Sequence, residues 1–252
     1  MIAAEEFDAY NRAVAQLAGE AERTTRQAIS RYVRENPGAS VAEIRDFAKA
    51  LMAGMAQTYG DAASSLAAEW YDERGEGRGL ERAVIEQTYS AVQVDKVTRY
   101  QARKLEQGAY GRFAQSCGEY AANHVRESLN RTMLKNIQRD RGRGVKFARV
   151  PTGAETCTFC VMLASRGAVY ATTKAAGEQN HYHRGCDCKI VPSFGEDDLV
   201  EGYDPDAYYD AWQEFERIDA MTGEDGRPLG KTERDRLKRG YLASRGMRTA
   251  AP

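Results

Sequence analysis

The chain has 252 residues, of which 42% are hydrophobic and 29% charged, enough for one large domain or two modest ones. Its formal net charge of −1 excludes a bulk electrostatic attraction to nucleic acid or acidic membranes. No run approaches the roughly 20 apolar residues that cross a bilayer, and the N-terminus lacks the basic and apolar regions of a signal peptide. We therefore expect no membrane partner and folding in a reducing cytoplasm.

Residues 1–144 have the apolar spacing of long amphipathic helices and form the first predicted domain. Apolar side chains recur every three or four positions through residues 7–33, and Pro37-Gly38 ends this first helix. A second helix is predicted to begin at Ser40, because Glu43 follows at the spacing of a capping box, in which each residue satisfies a free backbone amide of the other.

Two more helices are predicted after the flexible Gly-Glu-Gly-Arg-Gly run at residues 75–79, over about residues 80–107 and 110–140. Cys117 falls on the apolar stripe of the last helix and is predicted to be a core thiol, since cysteine is among the most buried residue types. His124, beside that stripe, is predicted to pack at the boundary of the core rather than to bind a metal.

The composition changes after residue 144. Short strands are predicted over residues 145–152, at Val169-Tyr170 and over 189–191, inside a small second module at residues 145–195. The third segment, 196–252, contains an acidic part with aromatic residues and then a basic tail. We interpret the aromatic run as the apolar side of a helix, with a helix-in-groove contact to a partner as the alternative.

The cysteines are concentrated in the second module. Four of the five cysteines and one histidine form the pattern CxxC, twenty-two residues, HxxCxC. Sulfur and imidazole ligands at this spacing suit a tetrahedral structural zinc ion, which would replace an apolar core that the module lacks. The predicted metal ligands are four of five residues, with disulfides or free thiols left open: Cys157, Cys160, His183, Cys186 and Cys188.

These features predict a mainly α fold. It consists of a long-helix N-terminal domain, a small zinc-stapled α+β module and a helical or irregular C-terminal tail. Enzyme motifs such as HExxH, GxSxG and the P-loop are absent from the sequence, so we expect no catalytic activity. A Cys160–His183 nucleophile pair and a small metal-dependent nuclease that uses His181 and His183 are the enzymatic alternatives.

A basic block precedes the cysteines. Residues 126–149 contain eight Arg or Lys against two acids, a net charge of +6, whereas residues 196–225 contain twelve acids against one Arg, a net charge of −11. Such blocks commonly form solvated faces. The basic block is also a candidate for non-specific contact with a phosphate backbone through Arg139, Arg141, Arg143, Lys146 and Arg149.

One stretch of the chain resembles a known family. It resembles phage minor head proteins, the head-morphogenesis proteins grouped with the F protein of phage Mu, in the form found in actinobacteriophages. The similarity covers about residues 145–194 and is carried by Arg149-Val150-Pro151-Thr152-Gly153, Cys157-Thr158-Phe159-Cys160, Leu163-Ala164-Ser165-Arg166-Gly167, Tyr182-His183 and Cys186-Asp187-Cys188.

The resemblance implies a structural minor capsid protein of the virion, at the portal vertex or the capsid interior. Its partners would be the portal protein, the major capsid protein or both, met in the host cytoplasm during head assembly. Packaged DNA would be an additional non-specific contact. The alternative function is a zinc-containing nucleic-acid-binding or nuclease module.

Overall fold

The structure, a computed structural model, describes residues 1–152, 156, 158–172, 188–195 and 198–247. This part of the chain is mainly helical, as predicted. None of its helices combines the length and the apolar character needed to cross a lipid bilayer. The elements are α1 (Ala4–Glu35), α2 (Val41–Arg74), α3 (Ala91–Glu106), α4 (Tyr110–Asp140), β1 (Lys146–Val150), α5 (Thr158–Ala164), β2 (Lys189–Ser193), α6 (Pro205–Asp219) and α7 (Lys231–Ser244).

The chain divides into two compact units. The helical unit is Asp8–Asn136, and the mixed unit combines Met1–Phe7 with Ile137–Pro252. The N-terminal residues join the mixed unit because the Ile2 N–H donates to the Leu199 carbonyl at 2.9 Å. The division at residues 144 and 195 expected from the sequence stays a prediction.

Local sequence signals place the helices of the helical unit. The predicted capping box begins α2: the Ser40 N–H donates to Glu43 Oε2 at 2.8 Å, and Ser40 Oγ accepts the Glu43 N–H at 3.3 Å. The helices pack a core that includes Ile29, Met52 and Cys117. Cys117 is fully buried, as predicted, and this burial raises the pKa of its thiol to about 12.

The predicted third helix is wrong over its first half. α3 begins only at Ala91, where the Ser90 hydroxyl accepts the Gln93 N–H, and residues 80–90 contain no helix. Val84, Thr88 and Val92 suggested a continuous helical stripe. However, the side chains of Val84 and Val92 are exposed, so the stripe does not mark a buried face.

Residues 84–88 are instead bound by three buried polar side chains of α4, spaced four residues apart. We call this set the polar ladder. Two residues of a strand-like chain span about 6.6 Å, and four residues of a helix span about 6 Å. Every second residue of 84–88 can therefore lie opposite the next turn of α4. The bonds are Val84 N–H to Asn136 Oδ1 (2.8 Å), Asn136 Nδ2 to the Val84 carbonyl (2.9 Å), Glu86 N–H to Thr132 Oγ1 (3.1 Å) and Thr88 Oγ1 with Ser128 Oγ (2.5 Å).

The mixed unit contains a small antiparallel sheet. β1 pairs with β2 in a register that sets Phe147 opposite Pro192 and Arg149 opposite Ile190. Tyr170 extends the sheet on the other side of β1, because Phe147 and Tyr170 exchange main-chain hydrogen bonds of 2.8 and 3.2 Å. The strands predicted over residues 145–152 and 189–191 are therefore confirmed as β1 and β2, and the Val169-Tyr170 segment contributes one bridge, at Tyr170.

The expectation that an ion replaces a missing core in the second module is not supported by the described part of the mixed unit. There, the side chains of Phe147, Val161, Tyr170, Ile190 and Phe215 are each no more than 2% exposed and form part of an apolar core. Four of these residues lie within the module itself, and α6, which packs against α5, contributes Phe215 from the segment predicted to be a separate tail. The module therefore has buried apolar side chains of its own, and Phe215 of α6 adds to them.

Candidate functional site

Cys160 lies on α5, a seven-residue helix whose C-terminal end is fixed by two tyrosines. The Tyr170 hydroxyl donates to the Leu163 carbonyl at 2.9 Å, and the Tyr203 hydroxyl donates to the Ala164 carbonyl. These carbonyls belong to the last turn of α5, where they also accept the Arg166 and Gly167 N–H groups at 3.4 and 3.3 Å. The two hydroxyls therefore hold a helix that is too short to be stable alone.

The N-terminal end of α5 is fixed by α7. Lys238 Nζ donates to the Thr158 hydroxyl at 2.8 Å and to both carboxylate oxygens of Asp219 on α6 at 2.7 Å. The ammonium group also lies 5.2 Å from the centre of the Phe215 ring. Since the Lys238 side chain is only 13% exposed, this ion pair is better shielded from water than an ordinary surface pair.

Cys160 and Cys188 form the centre of the site. Their Sγ atoms are 3.3 Å apart, and the residues are 1% and 3% exposed. This pair is not a disulfide. Two thiolates on one tetrahedral zinc ion stand about 3.8 Å apart, given a zinc–sulfur distance of about 2.3 Å. The two sulfurs are about 0.5 Å closer than that, so a shared metal ion would require them to move slightly apart.

Arg149 lies against this pair. It is 3% exposed, and its Nη2 donates to Cys188 Sγ at 2.6 Å. The register explains the contact: Arg149 is opposite Ile190, and Cys188 is two residues before Ile190, so both side chains lie on one face of the sheet. The buried site thus combines two sulfurs with a permanent positive charge.

The other three predicted ligands, Cys157, His183 and Cys186, lie outside the described residues. Within the described ranges, no group of three or more His, Cys, Asp or Glu side chains is arranged to hold a metal ion. The structure thus brings Cys160 and Cys188 together and leaves the complete ligand set a prediction. His124, which we predicted to pack at the boundary of the core rather than to bind a metal, is buried, with 5% exposure.

The basic block is only partly available to a phosphate backbone. Arg149 is buried against Cys188, so its assignment as a phosphate contact is corrected. Arg139 forms a bidentate pair with Asp140, at 3.0 and 2.6 Å. The turn between α4 and β1 leaves the remaining candidates, Arg141, Arg143 and Lys146, exposed.

The aromatic run after residue 200 forms the buried side of α6 and the turn before it. Tyr203, Tyr208 and Phe215 are at most 8% exposed, in agreement with the interpretation as the apolar side of a helix. Tyr209 is 50% exposed, Trp212 is partly exposed, and the centres of their rings lie 5.8 Å apart in an edge-on arrangement. Any aromatic contact from α6 to a partner would therefore use Tyr209 or Trp212.

Sequence reasoning missed the partners of the site. The role of Arg149 had one visible signal: in the strand Lys146–Val150, alternation places Arg149 on the same face as Phe147. An arginine at an inward position needs a buried partner. The roles of Tyr170, Tyr203 and Lys238 had no comparable signal, because they depend on the packing of distant segments.

Similarities to known proteins agree with a phage origin. A family model described as VG15 protein matches residues 1–215. The "Gene 15 protein" of Mycobacterium phage L5 is 34% identical over 19% of this chain and 29% of that protein. The "Gene 15 protein" of Mycobacterium phage D29 is 32% identical over 19% of this chain and 28% of that protein. The matches thus span less than a third of the length of these relatives.

No solved structure matches the chain. The family model, in contrast, covers α1 to α5, both strands and most of α6. It therefore includes both the polar ladder and the site around Cys160. On this match the chain belongs to the VG15 protein family and is a phage protein.

Proposed function

We propose that this chain is a structural minor head protein of a tailed phage, of the Mu F-like type. In this role it contacts the portal protein, the major capsid protein or both during head assembly, and it remains in the virion. The observation that carries the proposal is the match to a phage family over residues 1–215, together with the resemblance in residues 145–194. The function is non-catalytic.

The helical unit suits a scaffold that makes protein contacts. α1, α2 and α4 have 32, 34 and 31 residues, well above the usual helix length of about 11 or 12 residues. α3 carries exposed apolar side chains on its surface, Val92 at 79% and Tyr100 at 65% exposure. Exposed aromatic residues are enriched at protein–protein interfaces.

A structural zinc ion at the cysteine site is part of the proposal. Cys160 and Cys188 would bind it with two of Cys157, His183 and Cys186. When bound, zinc would supply a rigid cross-link and no reaction, because four protein ligands leave no position for water. Elemental analysis of the purified chain should find about one zinc per chain. A purified chain that contains no zinc would contradict this part.

A second contact with DNA is supported by the exposed turn that carries Arg141, Arg143 and Lys146. Binding should weaken steeply between low and physiological salt, because phosphate contacts release counterions. The triple change Arg141→Gln, Arg143→Gln and Lys146→Gln should reduce that salt dependence. If the triple variant binds DNA with the same dependence on salt as the wild type, these three residues do not form the contact. DNA nicking that requires Mg²⁺ would favour the nuclease alternative.

The main test follows the protein through head assembly. Assembling heads and mature virions are purified through a high-salt wash, and the chain is measured by quantitative mass spectrometry. We expect it in both, at a low copy number relative to the major capsid protein. Co-expression with the portal protein or with the major capsid protein, one at a time, then identifies the partner. Absence from washed heads and virions would reject the proposal.

A further inference from the structure

The surface of α3 carries the most exposed apolar side chains of the helical unit. In this unit, the strongly exposed large apolar side chains all lie between residues 84 and 110, and Val92 and Tyr100 on α3 are the most exposed of them. These two residues are eight positions apart, so they share one face of the helix. Apolar side chains that are grouped on a surface mark interaction sites, whereas scattered ones do not.

The same face of α3 is basic. Three exposed cations lie on it beside the two apolar side chains: Lys96, Arg99 and Arg103. Arg99 pairs with Asp95 of its own helix at 2.8 Å. The guanidinium of Arg103 lies 5.5 Å from the centre of the Tyr100 ring, a cation–π distance. We call Val92, Tyr100 and these three cations the α3 face.

The outer side of α6 in the mixed unit has the opposite charge. Its inner side is buried through Tyr208 and Phe215. Four residues at helical spacing are exposed on the other side, and we call them the α6 face: Asp206, Tyr209, Asp210 and Glu216. Arg217 also lies there and pairs with Glu214 at 3.1 Å. The α6 face therefore sets an exposed aromatic ring among carboxylates.

The two faces match in length, chemistry and charge. α3 has 16 residues and α6 has 15, so the helices are about 24 and 22 Å long. Each face combines an exposed tyrosine with charges of a single predominant sign, and the two signs are opposite. Paired protein surfaces show this combination of aromatic side chains and complementary charge.

We infer that copies of this chain associate head to tail, with the α3 face of one copy packed on the α6 face of the next. Such a contact uses two different surfaces of the same chain. It therefore repeats from copy to copy and gives a ring where the rotation closes. The inference goes beyond the proposed function, because the partner at the α3 face is the chain itself and not another protein of the head.

The test uses two charge-reversal variants of the full chain. One variant carries Lys96→Glu with Arg103→Glu, and the other carries Asp210→Lys with Glu216→Lys. Each variant alone sets like charges opposite each other. In an equal mixture, a reversed α3 face meets a reversed α6 face, and a native α3 face meets a native α6 face. Every contact in the mixture can therefore pair opposite charges again.

Sedimentation over a concentration series gives the dissociation constant of each sample. We expect association to weaken by about 100-fold or more in each variant alone, because like charges across an interface are strongly unfavourable. The mixture should associate nearly as well as the wild type. The control is Arg12→Glu with Arg23→Glu, which reverses two exposed arginines of α1 and should leave association unchanged.

Photo-crosslinking tests the contact without charge reversal, and it decides the matter if a reversal variant does not fold. A benzophenone amino acid replaces Tyr100, and isotope-labelled chains are mixed with unlabelled ones before irradiation. We expect crosslinked peptides that join α3 to residues 204–219. Peptide pairs with one labelled and one unlabelled partner identify a contact between copies.

The remaining results would overturn the inference. They are a wild-type chain that sediments as a monomer at every concentration, a mixture that stays dissociated, an oligomer that neither reversal weakens, and crosslinks that avoid α6 or stay within one chain. Loss of DNA binding without loss of association in Lys96→Glu with Arg103→Glu would assign the α3 face to nucleic acid instead. None of these results affects the proposed place in the virion, which is measured in purified heads.

Discussion

Asn136 binds the main chain of Val84 in both directions. Its Oδ1 accepts the Val84 N–H at 2.8 Å and its Nδ2 donates to the Val84 carbonyl at 2.9 Å. The same Nδ2 also donates to the Thr132 carbonyl one turn earlier in α4, at 2.8 Å. One fully buried amide therefore fixes an irregular segment to a helix, much as a neighbouring strand would.

The first prediction concerns this contact. Asn136→Leu keeps the approximate volume of the side chain and removes both bonds to Val84. We expect the free energy of unfolding to fall by about 1–3 kcal/mol, because buried polar groups lose their partners. Chemical denaturation measures the change, and limited proteolysis should show new cleavage within residues 80–90. Gln138→Leu, at an exposed position two residues further along α4, is the control. Equal stability and cleavage in both variants would show that the ladder does not hold the segment.

The second prediction concerns the crossing of α1 and α4. A methyl group on Gly118 would lie 2.7 Å from the Glu22 carbonyl oxygen, closer than real contacts allow. Gly118→Ala should therefore destabilise the helical unit by about 1–3 kcal/mol, since backbone atoms must shift. Gly111→Ala is the matched control in the same helix, because nothing lies within 4 Å of its added methyl. That control should stabilise the protein by up to about 1 kcal/mol. Destabilisation by both changes, or by neither, would contradict the packing described here.

The third prediction is a dependence of stability on pH. Burial lowers the pKa of His124, against smaller opposing effects of Glu127 and the Ala56 carbonyl. The unfolded chain therefore takes up the proton first as the pH falls below about 6.5. The stabilising contribution of neutral His124 is complete above that pH and is lost progressively as the pH falls through the folded-state pKa.

Denaturation at a series of pH values tests this sign. The stability difference between wild type and His124→Gln should shrink as the pH falls from about 7 toward 5, because glutamine has no proton to gain. Gly60 packs against the imidazole of His124. A methyl group placed on Gly60 would lie only 3.0 Å from Nε2, so little room exists for solvent on this side of the ring. A difference that is constant with pH, or that grows on acidification, would refute the assignment.

The fourth prediction concerns metal removal. Cys160→Ser or Cys188→Ser, which each remove a ligand of the proposed zinc ion, should release zinc and increase protease cleavage within residues 150–192, because ligation and folding share one free energy. The helical unit should keep its circular dichroism, since its core contains none of these residues. Cys117→Ala should keep the metal. Treatment of the wild type with a strong chelator should reproduce the cleavage pattern of the serine variants. Unchanged resistance to protease in the metal-free protein would show that the apolar core suffices without an ion.

The contrast between α2 and residues 80–90 shows where sequence reasoning succeeds. The start of α2 depends on Ser40 and Glu43, three residues apart, so its hydrogen bonds could be inferred directly. The segment at residues 80–90 has equally regular spacing, but its conformation depends on Asn136, about fifty residues further along the chain. A row of polar residues on a helix normally indicates a solvated face. Here it marks the place where another segment docks.

In the candidate site, too, sequence reasoning found one part and missed another. The spacing of CxxC and HxxCxC placed both Cys160 and Cys188 among the five candidate ligands, and their sulfurs lie 3.3 Å apart. The same sequence assigned Arg149 to DNA, because charge along the chain gives no information about burial. Pairing of β1 with β2 directs that arginine inward to Cys188.

The sequence alone therefore determined the helical class, the limits of α1, α2 and α4, the short strands and the association of two cysteines. These features depend on interactions between residues close in sequence or on ligand spacing. The tertiary structure decided that residues 80–90 form no helix, that α6 adds to the core around α5, and that Arg149 faces a thiol. Each of these is set by contacts between distant segments, whose free energy outweighs local preference.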